Sequence, residues 1–192
     1  MDVLGQDGLS YEPNNEAVLE QLSLQLAGWT DNPSGFDWNW RSVGEYLARF
    51  DESVAINVAY LIPHSTVRMC VMGMDNRPPP DEEINRMQAL IREGMQQGAV
   101  GLSAGLSYAP GIFALDQELV ELCSVMAGTG AFYAPHHRNY GLYAIEAYRD
   151  SIAIGKDADV PVHLTHAHLG FPVNIGRAGE LLDMVPIAAT VY

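Results

Sequence analysis

Two histidine-bearing segments hold the residue types that could do chemistry. Tyr133-Ala134-Pro135-His136-His137-Arg138 and Pro161-Val162-His163-Leu164-Thr165-His166-Ala167-His168 each close a short apolar run that follows a helix-like stretch. In a barrel of parallel strands wrapped by helices, side chains at the carboxyl ends of neighbouring strands converge on one mouth, so His136 and His166 can share a metal ion. They stand 30 positions apart, about one strand-helix unit. Neutral imidazole and carboxylate are usual ligands of zinc, and a hydrolytic site keeps one position for a water whose pKa falls toward neutrality. Zinc is therefore the expected cofactor.

Other polar residues end the remaining strand-like runs: Asp7, His64, and Ser103 with Tyr108. If the strands are parallel neighbours, these groups crowd the same mouth. His168 shares a strand phase with His166 and is expected to face the same cavity, whereas alternation points His137 and His163 elsewhere. Arg138 is permanently charged and suited to grip a carboxylate, although a surface pairing with one of the many acids fits equally well. Gly101-Leu102-Ser103-Ala104-Gly105 also matches the Gly-x-Ser-x-Gly elbow of serine hydrolases. That elbow needs a strand, a sharp turn and a helix. Here Pro110 and Gly111 stop any helix from continuing, so the glycines more simply permit close packing where a strand enters a site loop.

The elements that must position these groups follow from periodicity. Residues 81–97 carry Ile84, Met87, Leu90, Ile91 and Met95 on one helical face behind a Pro80-Asp81 start. A buried strand fits 100–103, a helix opens at Asp116, and a strand fits 131–134. A third helix spans 142–155 before a strand at 160–165. Upstream, strands are expected at 2–4 and 54–62, with helices at 15–27 and 42–50. Residues 28–40 hold all three tryptophans among Asp, Asn, Pro and Gly and read as an ordered excursion that needs a surface to pack on. Helix-then-strand units in succession imply about five parallel strands with helical crossovers, an α/β fold. A closed eight-stranded barrel typically needs roughly 250 residues. At 192 residues, and ending in the apolar run Val185-Pro186-Ile187-Ala188-Ala189-Thr190-Val191-Tyr192, the chain reads as an internal fragment, a single incomplete barrel domain over 1–192.

Composition narrows the partners. A net charge of −14 from 24 acidic against 10 basic residues argues against nucleic acid or an anionic membrane, since both need a basic face. Cysteine is limited to Cys70 and Cys123, and no apolar run is long enough to cross a bilayer. A reduced, cytoplasmic protein acting on a small molecule is the simplest expectation, and the oligomeric state stays open.

These residues resemble the N-acyl-D-amino-acid deacylases of the metal-dependent amidohydrolase superfamily. Val3-Leu4-Gly5-Gln6-Asp7-Gly8-Leu9-Ser10 is similar to a segment that in the family reads Gly-Asn-Cys-Gly. Gly101 to Gly111 is similar to Gly-Leu-Ser-Thr-Gly-Leu-x-Tyr-x-Pro-Gly, Tyr133 to Asn139 to Tyr-Ala-Thr-His-Met-Arg-Asn, and Val160 to His168 to Val-Pro-Val-x-Ile-Ser-His-x-Lys. The resemblance implies a partial (β/α)8 TIM barrel with its first and last strands missing. It makes His136 and His166 zinc ligands and puts Tyr108 near the substrate. The family's cysteine ligand falls on Asp7, which keeps an anionic ligand but exchanges soft sulfur for hard oxygen. The family's carboxylate-binding lysine falls on His168. The His-x-His pair of the first strand and the proton-shuttling aspartate of the last have no counterpart here, so no catalytic residue is assigned and the general-base aspartate is expected outside the chain. The implied activity of the parent is hydrolysis of the amide bond of an N-acyl-D-amino acid, with this chain inactive alone. Two alternatives stand beside it: a serine hydrolase using Ser103, and a non-catalytic truncated product that binds metal or a partner through exposed strand edges.

Overall fold

Short apolar runs separated by amphipathic helices can bury both faces only as parallel strands with helical crossovers, and that is the arrangement found. The computed structural model describes residues 1–29, 35–51 and 54–185. Among these, strands β1 (Asp2–Leu4), β2 (Val58–Pro63), β3 (Gly101–Gly105) and β4 (Phe132–His136) form one sheet in sequential order. Every pair is parallel, with Leu4 opposite Tyr60, Pro63 opposite Ser103 and Gly105 opposite His136. Parallel pairing in chain order sets all four carboxyl ends on one side.

The helices are α1 (Glu16–Gln25), α2 (Val43–Leu47), α3 (His64–Met72), α4 (Asp81–Gln96), α5 (Asp116–Cys123), α6 (Ala144–Asp157) and α7 (Ala178–Met184). Asn15 caps α1 by accepting from the Val18 N–H at 3.0 Å, and Asp81, Glu82 and Glu83 place negative charge in the first turn of α4, where the helix dipole favours it. The core lies between the sheet and these helices: Ile62, Leu102 and Tyr133 pack with Val67, Met87, Ile91, Leu119 and Leu122, all buried. Among the described residues no helix is long and apolar enough to cross a membrane.

Several expectations need correction. The fifth strand, 160–165, is reduced to one isolated parallel bridge between Tyr133 and Val162. Tyr133 donates to Pro161 O and accepts from His163 N, each at 2.8 Å, but Pro161 has no N–H to extend the ladder and the chain then leaves the sheet. Strand β2 begins at Val58 rather than at residue 54. Helix α3 was not anticipated: β-branched Thr66 and Val67 are weak helix formers, and burial of His64 through Met69 erases the amphipathic stripe that would have announced it. Trp38 and Trp40 pack as expected, with rings 5.4 Å apart, whereas Trp29 stands 89% exposed. The terminal apolar run from Pro186 to Tyr192 lies outside the described residues.

Two buried acids are solved in opposite ways. Glu118 on α5 accepts from Arg68 at 2.5 Å and lies 2.9 Å from His64 Nε2; burial opposes its charge, but His64 and Arg68 outweigh that and hold the carboxyl below its ordinary value. Glu12 is fully buried and accepts from the Trp40 indole N–H and, at 3.2 Å, from the Tyr60 hydroxyl. Burial, only partly offset by these two hydrogen bonds, pushes its carboxyl up to about 8.

Glu118→Gln leaves Arg68 buried without its charge partner and should cost about 3–5 kcal/mol in urea denaturation; a loss below about 1 kcal/mol would show that the pair does not brace α3 against α5. For Glu12, the folded state keeps a proton that an unfolded glutamate, at 4.5, releases. Its contribution is fully present below that value and is lost as pH rises through about 8. Stability should therefore fall between about pH 5 and about pH 9, and Glu12→Gln should flatten the fall. An equal slope in the variant would place its origin in another group.

Candidate metal centre

Asp7 sits in a 3-10 turn, Gln6–Gly8, directly after β1, with its own φ at 59° and Gly5 and Gly8 at 75° and 74°. Aspartate tolerates this left-handed region better than most residues. The turn is strapped to β3. Ser103 Oγ donates to Gly5 O and accepts from Gly8 N at 3.1 Å, and the Tyr108 hydroxyl donates to Asp7 O. A Cβ on Gly8 would lie 2.2 Å from Gly105 N, and one on Gly105 would lie 2.2 Å from Asp7 O. Glycine at both positions is what brings the Asp7 backbone against the end of β3.

His136 ends β4. Its Nδ1 lies 3.7 Å from Asp7 Oδ1 and is buried with no hydrogen-bond partner among the described residues. His166 arrives from beyond the Val162 bridge, in a turn with φ 51° closed by His168 N donating to His166 O at 2.6 Å. Its Nε2 lies 3.1 and 3.2 Å from the two Asp7 carboxylate oxygens, and the His136 and His166 rings are 5.2 Å apart. One ligand atom from each of Asp7, His136 and His166 falls within 4.8 Å of the others. Burial opposes charge on Asp7, but the nearness of His136 and the hydrogen bond with His166 outweigh it and hold the carboxyl below its ordinary value.

The donor set fits a divalent cation. Ligand atoms about 2.0 Å from one tetrahedral ion stand roughly 3.3 Å from each other, and the Asp7 separations of 3.1 and 3.7 Å bracket that spacing. A buried imidazole nitrogen without a partner is a cost that a metal bond would remove. Two nitrogen donors and one carboxylate suit zinc and its borderline neighbours.

The other expected residues divide. Tyr108 reaches the site, but its hydroxyl is spent on the Asp7 carbonyl; burial, and then the Asp7 charge, push the phenol above its ordinary value and keep it a donor. His168 stacks on Tyr140 with centroids 4.9 Å apart and lines a cavity of about 520 Å³ with His136, His166 and Arg138. A shared strand phase with His166 is not the reason, because both lie in a turn. Arg138 is anchored at 2.8 Å to both Ala114 O and Asp116 Oδ1, so the surface pairing is realised. His64 does not reach the mouth: it opens α3 and turns to Glu118. His137 points away, 2.8 Å from Ser151 Oγ, and burial pulls its imidazole down to about 4. His163 lies against Phe132 instead. Ser103 is fully buried with both of its bonds on backbone, unlike an elbow nucleophile.

Two tyrosines escaped the sequence reading. Tyr148 on α6 accepts from His168 N at 3.0 Å and lies 2.9 Å from both His166 O and His168 O, so it fixes the turn that carries His166. Tyr140 accepts from His137 N at 2.9 Å and sets its ring 5.0 Å from that of His136. Tyr148 falls within the expected helix 142–155, and nothing in the pattern announces where its hydroxyl ends.

No protein-family model matches the chain. It is 37% identical over 191 residues to a D-aminoacylase of Alcaligenes xylosoxydans xylosoxydans, an alignment covering 97% of this chain and 37% of that protein. A solved D-aminoacylase with a binuclear metal centre superposes with a TM-score of 0.79 at 29% identity, covering 95% of this chain and 38% of its own. An N-acyl-D-glutamate deacylase from Bordetella bronchiseptica, solved with zinc and a phosphonate mimic of the tetrahedral intermediate, does so with 0.79 at 30% identity, covering 95% and 37%. The chain thus spans about 37% of the length of the curated relatives it matches.

The strap between the Asp7 turn and β3 is testable without any metal. Gly8→Ala adds a methyl where φ is 74° and where Gly105 N leaves no room, and should destabilise the chain by about 2 kcal/mol or more in urea denaturation. A variant as stable as the parent would show that the turn can lift from the strand.

Proposed function

We propose, for a chain homologous to the N-acyl-D-amino-acid deacylases across nearly all of its length, that it forms part of the metal-bearing mouth of a (β/α)8 barrel that hydrolyses the amide bond of N-acyl-D-amino acids. Domain 1–192 is read as consecutive staves of that barrel, with cytoplasmic location supported by the two free cysteines, Cys70 and Cys123. The observation that carries the reading is the convergence of Asp7, His136 and His166 within 4.8 Å.

Zinc is the proposed ion, held by Asp7, His136 and His166. When bound, it supplies Lewis acidity that polarises an amide carbonyl and acidifies water. The chain's residues do the positioning. Two neutral imidazoles leave the ion's charge intact, and the Asp7 carboxylate reduces it by one unit. Tyr108 holds the Asp7 backbone and Tyr148 the His166 turn, which fixes both ligands from behind. His168, exposed and held by Tyr140, is the freer group to meet a substrate carboxylate, while Arg138 must first give up Asp116. No general base is assigned within the chain. The serine-hydrolase alternative loses support from the burial of Ser103, and binding without catalysis shares the same three ligands.

Zinc titration against a chromophoric chelator tests the assignment. His136→Ala and His166→Ala should each weaken binding by more than the roughly 100-fold reached by outer-sphere changes, and Asp7→Cys should tighten it by adding a thiolate. Undiminished zinc affinity in both histidine variants would overturn the reading. A serine-directed phosphonate should leave the chain unmodified, and labelling at Ser103 would favour the alternative.

A further inference from the structure

A second cavity adjoins the ligand cluster. It holds about 470 Å³, with Leu9, Leu26, Trp29 and Ala109 forming apolar lining and Asp7 and His136 of the ligand cluster also in its wall. The remaining lining groups, Gln6, Gln25 and Tyr108, are neutral. Its volume lies within the roughly 300–1,000 Å³ usual for small-molecule pockets. The cavity that contains Arg138 and His168 lies across His136, on the side of the His166 turn.

The two cavities differ in charge, and that difference orients an N-acyl amino acid. On the amine side of the scissile bond, the α-carbon bears both the carboxylate and the side chain. On the other side of the carbonyl there is only the acyl chain. A carboxylate needs a cation or a strong donor, and among the described lining residues these stand in the Arg138 and His168 cavity. With the carbonyl at the ligand cluster, the carboxylate and side chain take that direction. The acyl chain is left pointing between Leu9 and Trp29.

We infer that the cavity walled by Leu9, Leu26, Trp29 and Ala109 is the acyl pocket, and that it takes straight aliphatic acyl groups longer than acetyl. The inference rests on the deacylase reading of the site. Acetyl would leave most of the volume unfilled, whereas each added methylene exchanges water for apolar wall. Leu9 and Leu26 belong to the small cluster around Val18, Leu22 and Met69, which backs the pocket with packed side chains. Trp29, 89% exposed, stands at the rim.

The test uses the 192-residue chain loaded with zinc and titrated calorimetrically with acetate, butanoate, hexanoate and octanoate, the carboxylates that the acyl half would release. Affinity should rise roughly threefold to fourfold per methylene until the cavity is filled. Leu9→Trp should cancel the gain beyond acetate. Trp29→Ala, which removes a side chain from the rim and not from the core, should reduce the gain per methylene. Equal affinity for all four carboxylates with zinc bound would overturn the acyl pocket and leave the metal centre standing. A gain that survives Leu9→Trp but disappears in Leu142→Trp, in the wall of the Arg138 and His168 cavity, would assign the acyl chain to that cavity and overturn the inference. Failure of the chain to bind zinc would overturn the deacylase reading and this assignment together.

Discussion

The meeting of one carboxylate with two imidazoles is the constraint around which the rest is arranged. Asp7 and His166 are separated by 159 residues and still come within 3.1 Å. Such closure across nearly the whole chain is possible because parallel strands in sequential order carry each strand's following loop to the same side. The cost is local. Asp7 and His166 both adopt positive φ, a conformation that packing and hydrogen bonds must hold in place. Ser103, Tyr108 and Tyr148 supply those bonds from behind, so the polar groups nearest the cluster are spent on its backbone.

The packing of the sheet beneath also reaches the site. Gly8 and Gly105 let two backbones approach where any Cβ would collide, which sets the distance between the Asp7 turn and the end of β3. On the helix side, Glu118 ties α5 to α3 through Arg68 and His64, a buried charged group satisfied almost entirely by side chains. Glu12 takes the other solution available to a buried acid, retaining its proton among Trp40 and Tyr60. Both acids lie outside the mouth, and their energetics bear on the stability of the scaffold.

Much of this was legible in the residues. The apolar stripe from Ile84 to Met95 located α4 to within a residue, because surface helices with one buried face carry a clean period. Strands β3 and β4 were found but began and ended one or two residues early, since an apolar run does not mark where hydrogen bonding stops. Helix α3 was invisible because it is buried on nearly every side. His136, His166 and Asp7 were legible as polar residues closing strand-like runs, and one ligand atom from each falls within 4.8 Å of the others, with their role as ligands a proposal. The turn that delivers His166 was not, because Pro161 and the loss of the fifth strand change the phase after Val162. The fate of His64 was also hidden: a strand-end histidine looks alike in sequence whether it faces a cavity or a buried glutamate.

We propose that Asp7, His136 and His166 bind one ion together. X-ray absorption spectroscopy on the zinc-loaded chain measures this directly, since imidazole rings give a multiple-scattering signature that carboxylate and water lack. A first shell of nitrogen and oxygen at about 2.0–2.1 Å is expected, with two imidazoles in the parent chain and one in His136→Ala. A shell containing sulfur, or an imidazole count unchanged by that substitution, would contradict it.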